Sequence, residues 1–180
     1  MASDPDTSTA PRLTRKGEQT RERIVSAAAQ LIFERGVAGT SIEDVKVAAG
    51  VSSSQLYHYF GDKHGLVRAV IAHQTRAILE SQQPLLASLD SSEALRAWRD
   101  LLVEGRRQIQ CQGGCPLGSL AGELFEAHPE CREDLVDGFD RWEGAIRDGL
   151  QDCARMNQTV GTMRAMLQQV MVETDDERIR

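Results

Sequence analysis

The chain has 180 residues and a formal net charge of −6, and 41% of its residues are hydrophobic, 27% charged and 4% aromatic. These proportions are those of a globular protein with a hydrophobic core, and they exclude a disordered or fibrous chain. No apolar run approaches the roughly 18 residues of a membrane helix, and the N-terminus lacks the apolar stretch of a secretory signal. We therefore expect a cytoplasmic protein without a membrane partner.

The negative charge lies in the later part of the chain. Residues 1–65 contain eight basic and eight acidic residues, whereas residues 66–180 contain 13 basic and 19 acidic ones. Within the first part, Arg12–Arg23 holds five basic residues and forms a modest positive arm. We expect Met1–Pro11 to be a solvated tail, and we consider phosphate contacts and solvent exposure equally plausible for Arg12–Lys16.

The first predicted helix begins near Lys16 or Glu18 and continues to Arg35, where Gly36 ends it. Its apolar residues follow one helical stripe, which consists of Ile24, Ala27, Ala28, Leu31 and Ile32. The spacing predicts that this stripe faces a core.

Two short helices joined by a tight turn are predicted for Thr40–Lys63, TSIEDVKVAAGVSSSQLYHYFGDK. Ser41 can cap the first of them, with Asp44 three residues on, and Gly50 ends it in a left-handed conformation. Ser52 and Gln55 form a Ser-x-x-Gln capping box for the second, which ends at Gly61. Such a pair is a helix-turn-helix, whose second helix enters the major groove of DNA. The sequence therefore predicts a DNA-binding protein.

The second short helix divides into a core side and a groove side. Leu56, Tyr59 and Phe60 are expected to pack against the first helix. Gln55 is a candidate for both base contact and capping, and capping is favoured slightly. The residues assigned to DNA on these grounds are Thr40 and Ser41, which begin the preceding helix, and Ser52, Ser53, Ser54, Gln55, Tyr57 and His58.

The remaining pattern is also helical, so we predict an all-α fold. Asp62 caps a long helix expected to end near Ser81, before Pro84, because a proline disfavours helix in the residue preceding it. Further helices are predicted at about 92–109, 117–127, 129–154 and 160–172, with a glycine-rich loop, CQGGCPLG, at 111–118. The polar tail ETDDERIR is expected to fray.

The segment from Arg21 to Ile71 resembles the TetR-type transcriptional regulators. The most specific parts of the match are AAGVS (Ala48–Ser52), LYHYF (Leu56–Phe60) and the pair Asp62-Lys63. GGCPLGSLAGEL (Gly113–Leu124) further resembles the LmrA/YxaF-like branch. This chain differs from the family at Ser54, where family members often have Gly or Lys. We expect the difference to affect base preference.

The resemblance implies a helix-turn-helix head at 18–64 behind a flexible arm at 1–17, and a helical ligand-binding and dimerisation body at 65–180. It implies that Lys63 contacts a phosphate, and that a homodimer binds a near-palindromic operator and releases it when a small apolar effector binds. It also places a ligand cavity whose candidate walls are Trp98, Leu117, Leu120, Leu124, Phe125, Phe139 and Trp142.

Two features of the body leave alternatives open. About 25 residues follow Asn157, which is enough for one amphipathic helix and not for the two that usually build the dimer, so a regulator with impaired dimerisation is one alternative. A thiol sensor using Cys111 and Cys115 is another, although the four cysteines are more plausibly small buried residues. No cofactor, metal site or catalytic motif is indicated, and no enzyme is expected.

Overall fold

The computed structural model describes residues 13–110, 114–150 and 158, and all regular structure in these ranges is α-helical. This confirms the predicted all-α fold. The helices are α1 (Arg15–Arg35), α2 (Ile42–Ala49), α3 (Ser53–Phe60), α4 (Lys63–Leu86), α5 (Ser92–Gln108) and α6 (Pro116–Leu124). Residues 129–150 are also helical and are called α7. Contacts divide the chain into residues 1–70 and 71–180, with the division inside α4.

The first unit is built from α1, α2, α3 and the beginning of α4. The ends of α2 and α3 are those expected from the sequence, whereas α1 begins at Arg15, before the expected Lys16 or Glu18. The Thr14 hydroxyl accepts a hydrogen bond from the N–H of Gly17 at 3.2 Å and begins α1. Gly50, at φ 61° and ψ 45°, ends α2 in the left-handed region, which a side chain would disfavour. The Asp62 carboxylate accepts from the N–H of Gly65 at 2.8 Å and begins α4.

One apolar core joins the helices of the first unit. The predicted stripe of α1 contributes its buried residues Ile24, Ala28 and Ile32, and α3 contributes Leu56 and Phe60. The other buried apolar residues are Val25, Ala29, Val37, Val45, Ala49, Leu66, Val67 and Val70. Burial of such side chains contributes about 1.5–3 kcal/mol each, which fixes the orientation of α3 on the head.

The predicted end of α4 was wrong. The helix continues through Pro84 to Leu86, five residues beyond Ser81. A proline removes one N–H donor and crowds the carbonyl four residues earlier, here that of Glu80. Pro84 and Glu80 are both exposed, whereas Leu86 is 2% exposed. Burial of Leu86 therefore offsets the loss of one hydrogen bond in the last turn.

The second unit contains the rest of α4 and helices α5 to α7. Pro116 is the first residue of α6, as predicted, but α6 ends at Leu124 rather than near Ala127. The Phe125 carbonyl accepts from Nη2 of Arg132 at 2.8 Å, an interaction from outside α6. The predicted helix at 160–172, the polar tail, and positions 111 and 153 lie outside the described residues.

Candidate nucleic-acid interface

Helix α3 has one buried side and one polar, exposed side. Leu56 is fully buried and Phe60 is 9% exposed, as predicted, while Tyr59 is half-buried. Tyr57 is 52% exposed. The exposed residues of α3 and its cap are Ser52, Ser54, Gln55, Tyr57 and His58, while Ser53 is half-buried. The head therefore presents hydroxyl, carboxamide, phenol and imidazole groups from a single rigid helix.

The capping role of Gln55 is present in the structure. Its Oε1 accepts from the N–H of Ser52 at 3.0 Å, and the Ser52 hydroxyl accepts from the N–H of Gln55 at 3.3 Å. The Ser52 and Ser54 hydroxyl oxygens lie 3.0 Å apart. Because the cap uses the carbonyl oxygen of Gln55, its Nε2 is the group that remains for a base acceptor.

A second capping box begins α2. The Ser41 hydroxyl accepts from the N–H of Asp44 at 3.1 Å, and the Asp44 carboxylate accepts from the N–H of Ser41 at 2.9 Å. Ser41 is exposed at the start of this helix, where backbone N–H groups favour an anion. Its position suits the phosphate contact expected from the sequence.

The Asp44 cap predicts a stability change at acidic pH. Hydrogen bonds from the side chain and backbone of Ser41 lower the pKa of Asp44, and Arg35 lowers it further. Because the pKa of Asp44 is lower in the folded than in the unfolded chain, the cap stabilises the fold fully above the pKa that Asp44 has in the unfolded chain. This stabilisation is lost as the pH falls through the pKa of Asp44 in the folded chain. Thermal melts should therefore show head stability falling below about pH 4. Asp44→Asn should flatten that fall, and an unchanged pH profile would contradict the assignment.

The expectation that the Thr40 side chain contacts a phosphate needs correction. Thr40 is only 3% exposed, and its hydroxyl donates to the Gly36 carbonyl at 2.9 Å. Its backbone N–H donates to the Val37 carbonyl at 3.4 Å. Thr40 therefore closes the loop after α1, and a phosphate would have to be held by its neighbour Ser41.

Lys63 makes a contact that the sequence did not indicate. Its Nζ donates to the Val37 carbonyl at 2.9 Å, and the side chain is half-buried. An ammonium group has three donors, so one is used in binding the loop after α1. Lys63 therefore supports the head, and the remaining donors are the ones that a phosphate would use.

Two arginines of α1 also support the recognition helices. Nε of Arg23 donates to the carbonyl of Ala49 at 3.0 Å, which satisfies the end of α2. The guanidinium of Arg21 lies over the ring of Phe60, 5.4 Å from its centroid. Both residues belong to the predicted basic arm, and no local sequence pattern signals partners so distant in the chain.

The candidate ligand walls separate into three groups in the second unit. Leu117, Leu120 and Leu124 are buried, and Phe139, Trp98 and Trp142 are half-buried. Phe125 is 44% exposed, with the Arg132 guanidinium 4.8 Å from its ring centroid. Phe125 therefore lies at the surface in contact with Arg132, and its place in a cavity wall stays a prediction.

The two described cysteines differ in burial. Cys131 is buried, as expected for a small apolar side chain, whereas Cys115 is exposed and its Sγ accepts from the N–H of Gly118 at 3.5 Å. Cys111 lies outside the described residues. A thiol sensor is not supported by a described partner for Cys115.

The head has the features that define a helix-turn-helix DNA-binding protein: two capped helices, a glycine-containing turn and a polar exposed second helix. In the described part of the chain, no helix is both long and apolar enough to cross a membrane. Residues 24–70 match the family described as bacterial regulatory proteins of the tetR family, and residues 91–159 match its tetracycline repressor-like C-terminal domain. The chain belongs to the TetR family of transcriptional regulators.

Individual relatives agree with this assignment. A solved TetR transcriptional regulator from Chloroflexus aurantiacus is 30% identical, with a TM-score of 0.65 over 77% of this chain and 70% of that one. An uncharacterised HTH-type regulator of Lactococcus lactis is 29% identical over 73% of this chain and 68% of its own length. The BetI regulator of Burkholderia ambifaria is 34% identical over 44% of this chain, and the match spans only 42% of BetI. All three relatives are named as transcriptional regulators.

Proposed function

We propose that this protein is a repressor that binds a near-palindromic operator as a homodimer and leaves it when a small apolar effector binds. The exposed polar face of α3 carries the proposal, because the Ser52–Gln55 capping box begins this helix and the buried Leu56 holds it against the core. A preorganised helix of this kind suits insertion into the major groove. DNA as the partner implies a cytoplasmic location. The LmrA/YxaF-like branch remains a prediction from the loop before α6.

The contacts divide into those that select bases and those that hold the backbone. Tyr57, His58 and Nε2 of Gln55 are the proposed base-edge contacts, since they carry exposed polar groups on α3. Ser41, Ser52, Ser53 and Lys63 are the proposed phosphate contacts, which position the helix without reading sequence. Ser54 is exposed on α3 and is proposed to influence base preference. One short helix contacts few base pairs, so specificity favours two heads on half-sites about 34 Å apart.

The charge distribution supports this orientation on DNA. The first 65 residues have no net charge, whereas residues 66–180 carry the whole excess of six negative charges. Repulsion by phosphates therefore disfavours contact of DNA with the acidic part and leaves the head as the approaching surface. An effector that binds the body must prefer one of two arrangements of the heads to change operator affinity.

Selection from a pool of random duplexes tests the proposed function. The full chain, at one near-physiological salt concentration, should enrich an inverted repeat with half-sites about one helical turn apart. A complex with two chains per duplex should form on the selected sequence. Weak, salt-sensitive binding without enrichment would contradict a specific dimeric regulator and would favour the alternative with impaired dimerisation.

Lys63→Met separates a phosphate contact from a purely structural role. If Lys63 contacts a phosphate in each head, the slope of log K against log salt should fall by about 0.9 per head. Loss of the bond to the Val37 carbonyl should also lower the stability of the head by about 1 kcal/mol. Titration of the selected operator at several salt concentrations measures the slope. A loss of stability with an unchanged slope would show that Lys63 acts only on the fold.

A further inference from the structure

Two helices of the second unit have apolar faces that described residues cover only in part. Among the described helices, α5 alone contains no buried residue, although Leu95, Trp98 and Leu102 recur on one side of it and are half-buried. On α7, Ile146 is half-buried and Leu150, one turn later, is 39% exposed. Both spacings are those of a helix face that packs against an apolar surface. Covering these side chains would stabilise the second unit.

The two faces border one surface, because α5 and α7 meet on α4. Oε1 of Gln82 in α4 accepts from Nε1 of Trp98 in α5 and from Nε1 of Trp142 in α7, each at 3.1 Å. Both indole groups reach the same oxygen, so the two helices lie side by side, and neither tryptophan is fully buried. The α5–α7 surface is defined as Leu95, Trp98, Leu102, Trp142, Ile146 and Leu150.

The directions of the helices limit how a further helix could lie on this surface. Gly138 lies against Thr75 and Gly149 against Leu86, so the residue numbers rise together and α7 runs parallel to α4. α5 follows α4 after residues 87–91 and runs antiparallel to it, as helices joined by short connections do. A helix that follows α7 after a short connection would be antiparallel to α7, and hence parallel to α5.

We propose that residues 160–172, for which the sequence predicts an amphipathic helix, pack on the α5–α7 surface of the same chain. The segment itself lies outside the described residues. Residues 151–159 connect it to α7, and a connection of this length favours an antiparallel neighbour. The apolar side chains that cover the surface are Val160, Met163, Met166, Leu167, Val170 and Met171.

The charges at the two ends of α5 support this direction. Arg106 and Arg107 lie in the last turn of α5, and Glu93 lies in its first turn. The acidic residues that follow the segment are Glu173, Asp175, Asp176 and Glu177. A segment parallel to α5 brings these carboxylates to the arginines, whereas the opposite direction places them beside Glu93. Attraction between opposite charges therefore favours the parallel arrangement.

The same chain is a better occupant of the surface than a second copy. A short connection gives the segment an effective concentration on the order of millimolar, which a second copy does not reach in dilute solution. The apolar residues of the segment share one side of the helix, so they cannot cover this surface and a second chain at once. The homodimer of the proposed function must then use another contact.

A matched pair of substitutions tests whether the surface is covered. Leu150 is 39% exposed, and Val103, on the polar side of α5 one turn from Arg99 and Arg107, is 42% exposed. The described residues alone therefore predict similar, small effects of a charge at either position. The proposal predicts that Leu150→Glu lowers the Tm by about 5 °C or more, because its carboxylate is buried in an apolar contact. Val103→Glu should lower it by no more than about 2 °C.

Substitutions in the segment test the other side of the contact. Leu167→Glu, on the apolar side, should lower the Tm as Leu150→Glu does, whereas Gln169→Glu, on the opposite side, should not. In the double variant with glutamate at both leucines the losses should not add, because the first charge already releases the segment. Tryptophan fluorescence follows each melt, since both tryptophans of the chain lie in the second unit. If Leu150→Glu fails to fold, Leu150→Ser and Val103→Ser give the same comparison.

Protein concentration distinguishes the same chain from a second copy. The Tm loss of Leu150→Glu should stay the same from about 1 to about 100 µM, and a loss that grows with concentration would show that a second copy covers the surface. Equal losses in Leu150→Glu and Val103→Glu, no loss in Leu167→Glu, or losses that add in the double variant would also overturn the proposal. None of these measurements uses DNA, so their outcome is independent of the proposed function.

Discussion

Replacement of Leu56 by alanine is expected to destabilise the head by about 2–5 kcal/mol and to abolish tight operator binding. Leu56 is fully buried and holds α3 against the apolar core of the first unit. Truncation leaves a cavity beneath the helix that must enter the groove. A cost of this size is a large part of the 5–15 kcal/mol that stabilises an ordinary domain. Urea unfolding followed by circular dichroism gives the free energy, and titration of the selected duplex gives the affinity.

Tyr57→Ala is the matched control, because it truncates the next residue of the same helix. Tyr57 is 52% exposed, so its loss should change stability by no more than about 0.5 kcal/mol. Operator affinity should nevertheless fall about tenfold or more if the phenol contacts DNA. Equal stability losses in the two variants, or wild-type affinity in Tyr57→Ala, would contradict the division of α3 into a core side and a groove side.

Gly65→Ala is expected to cost about 1–3 kcal/mol through overpacking, although alanine is the better helix former. A Cβ on Gly65 would lie well inside the 3.0 Å that real Cβ atoms keep from the carbonyl oxygen of Phe60. The backbone at the end of α3 would have to move, which would also weaken operator binding. Thermal unfolding of the variant measures the loss.

Gly105→Ala is the matched control, and we expect it to change stability in the opposite direction. Gly105 is also within a helix, α5, and a Cβ there would meet nothing within 4 Å. The variant should gain up to about 1 kcal/mol from helix propensity. If Gly65→Ala were as stable as Gly105→Ala, the close approach of α3 and α4 would be contradicted.

Local signals explain why the ends of α2 and α3 could be predicted from the sequence. Ser41, Gly50, Ser52 and Gly61 act on neighbours within a few residues, and they mark the ends of α2 and α3 in the sequence itself. The apolar spacing of α1 likewise predicted the burial of Ile24, Ala28 and Ile32, whereas Ala27 and Leu31 of the same stripe are half-buried. The wrong end of α4 shows where such rules fail, because burial of Leu86 outweighed the local effect of Pro84.

Contacts between distant residues had no local signal. Arg23 and Lys63 each donate to a carbonyl 26 residues away, and Gln82 accepts from Trp142 across 60 residues. A glutamine in a polar helical segment is usually exposed, so its burial could not be expected. The buried Thr40 was missed for a different reason: its partner Gly36 is only four residues away, but burial of the hydroxyl depends on how the loop after α1 packs. The single helix predicted at 160–172 remains a prediction.

Base preference in a single variant tests the central claim most directly, namely that the exposed face of α3 selects the operator. Selection from random duplexes should be repeated with His58→Ala, which removes an exposed imidazole from that face. We predict that the inverted repeat survives but loses its preference at one position in each half-site, symmetrically placed. Selection of the same sequence with the same preference at every position would show that His58 selects no base and would contradict its assigned role in base recognition by α3.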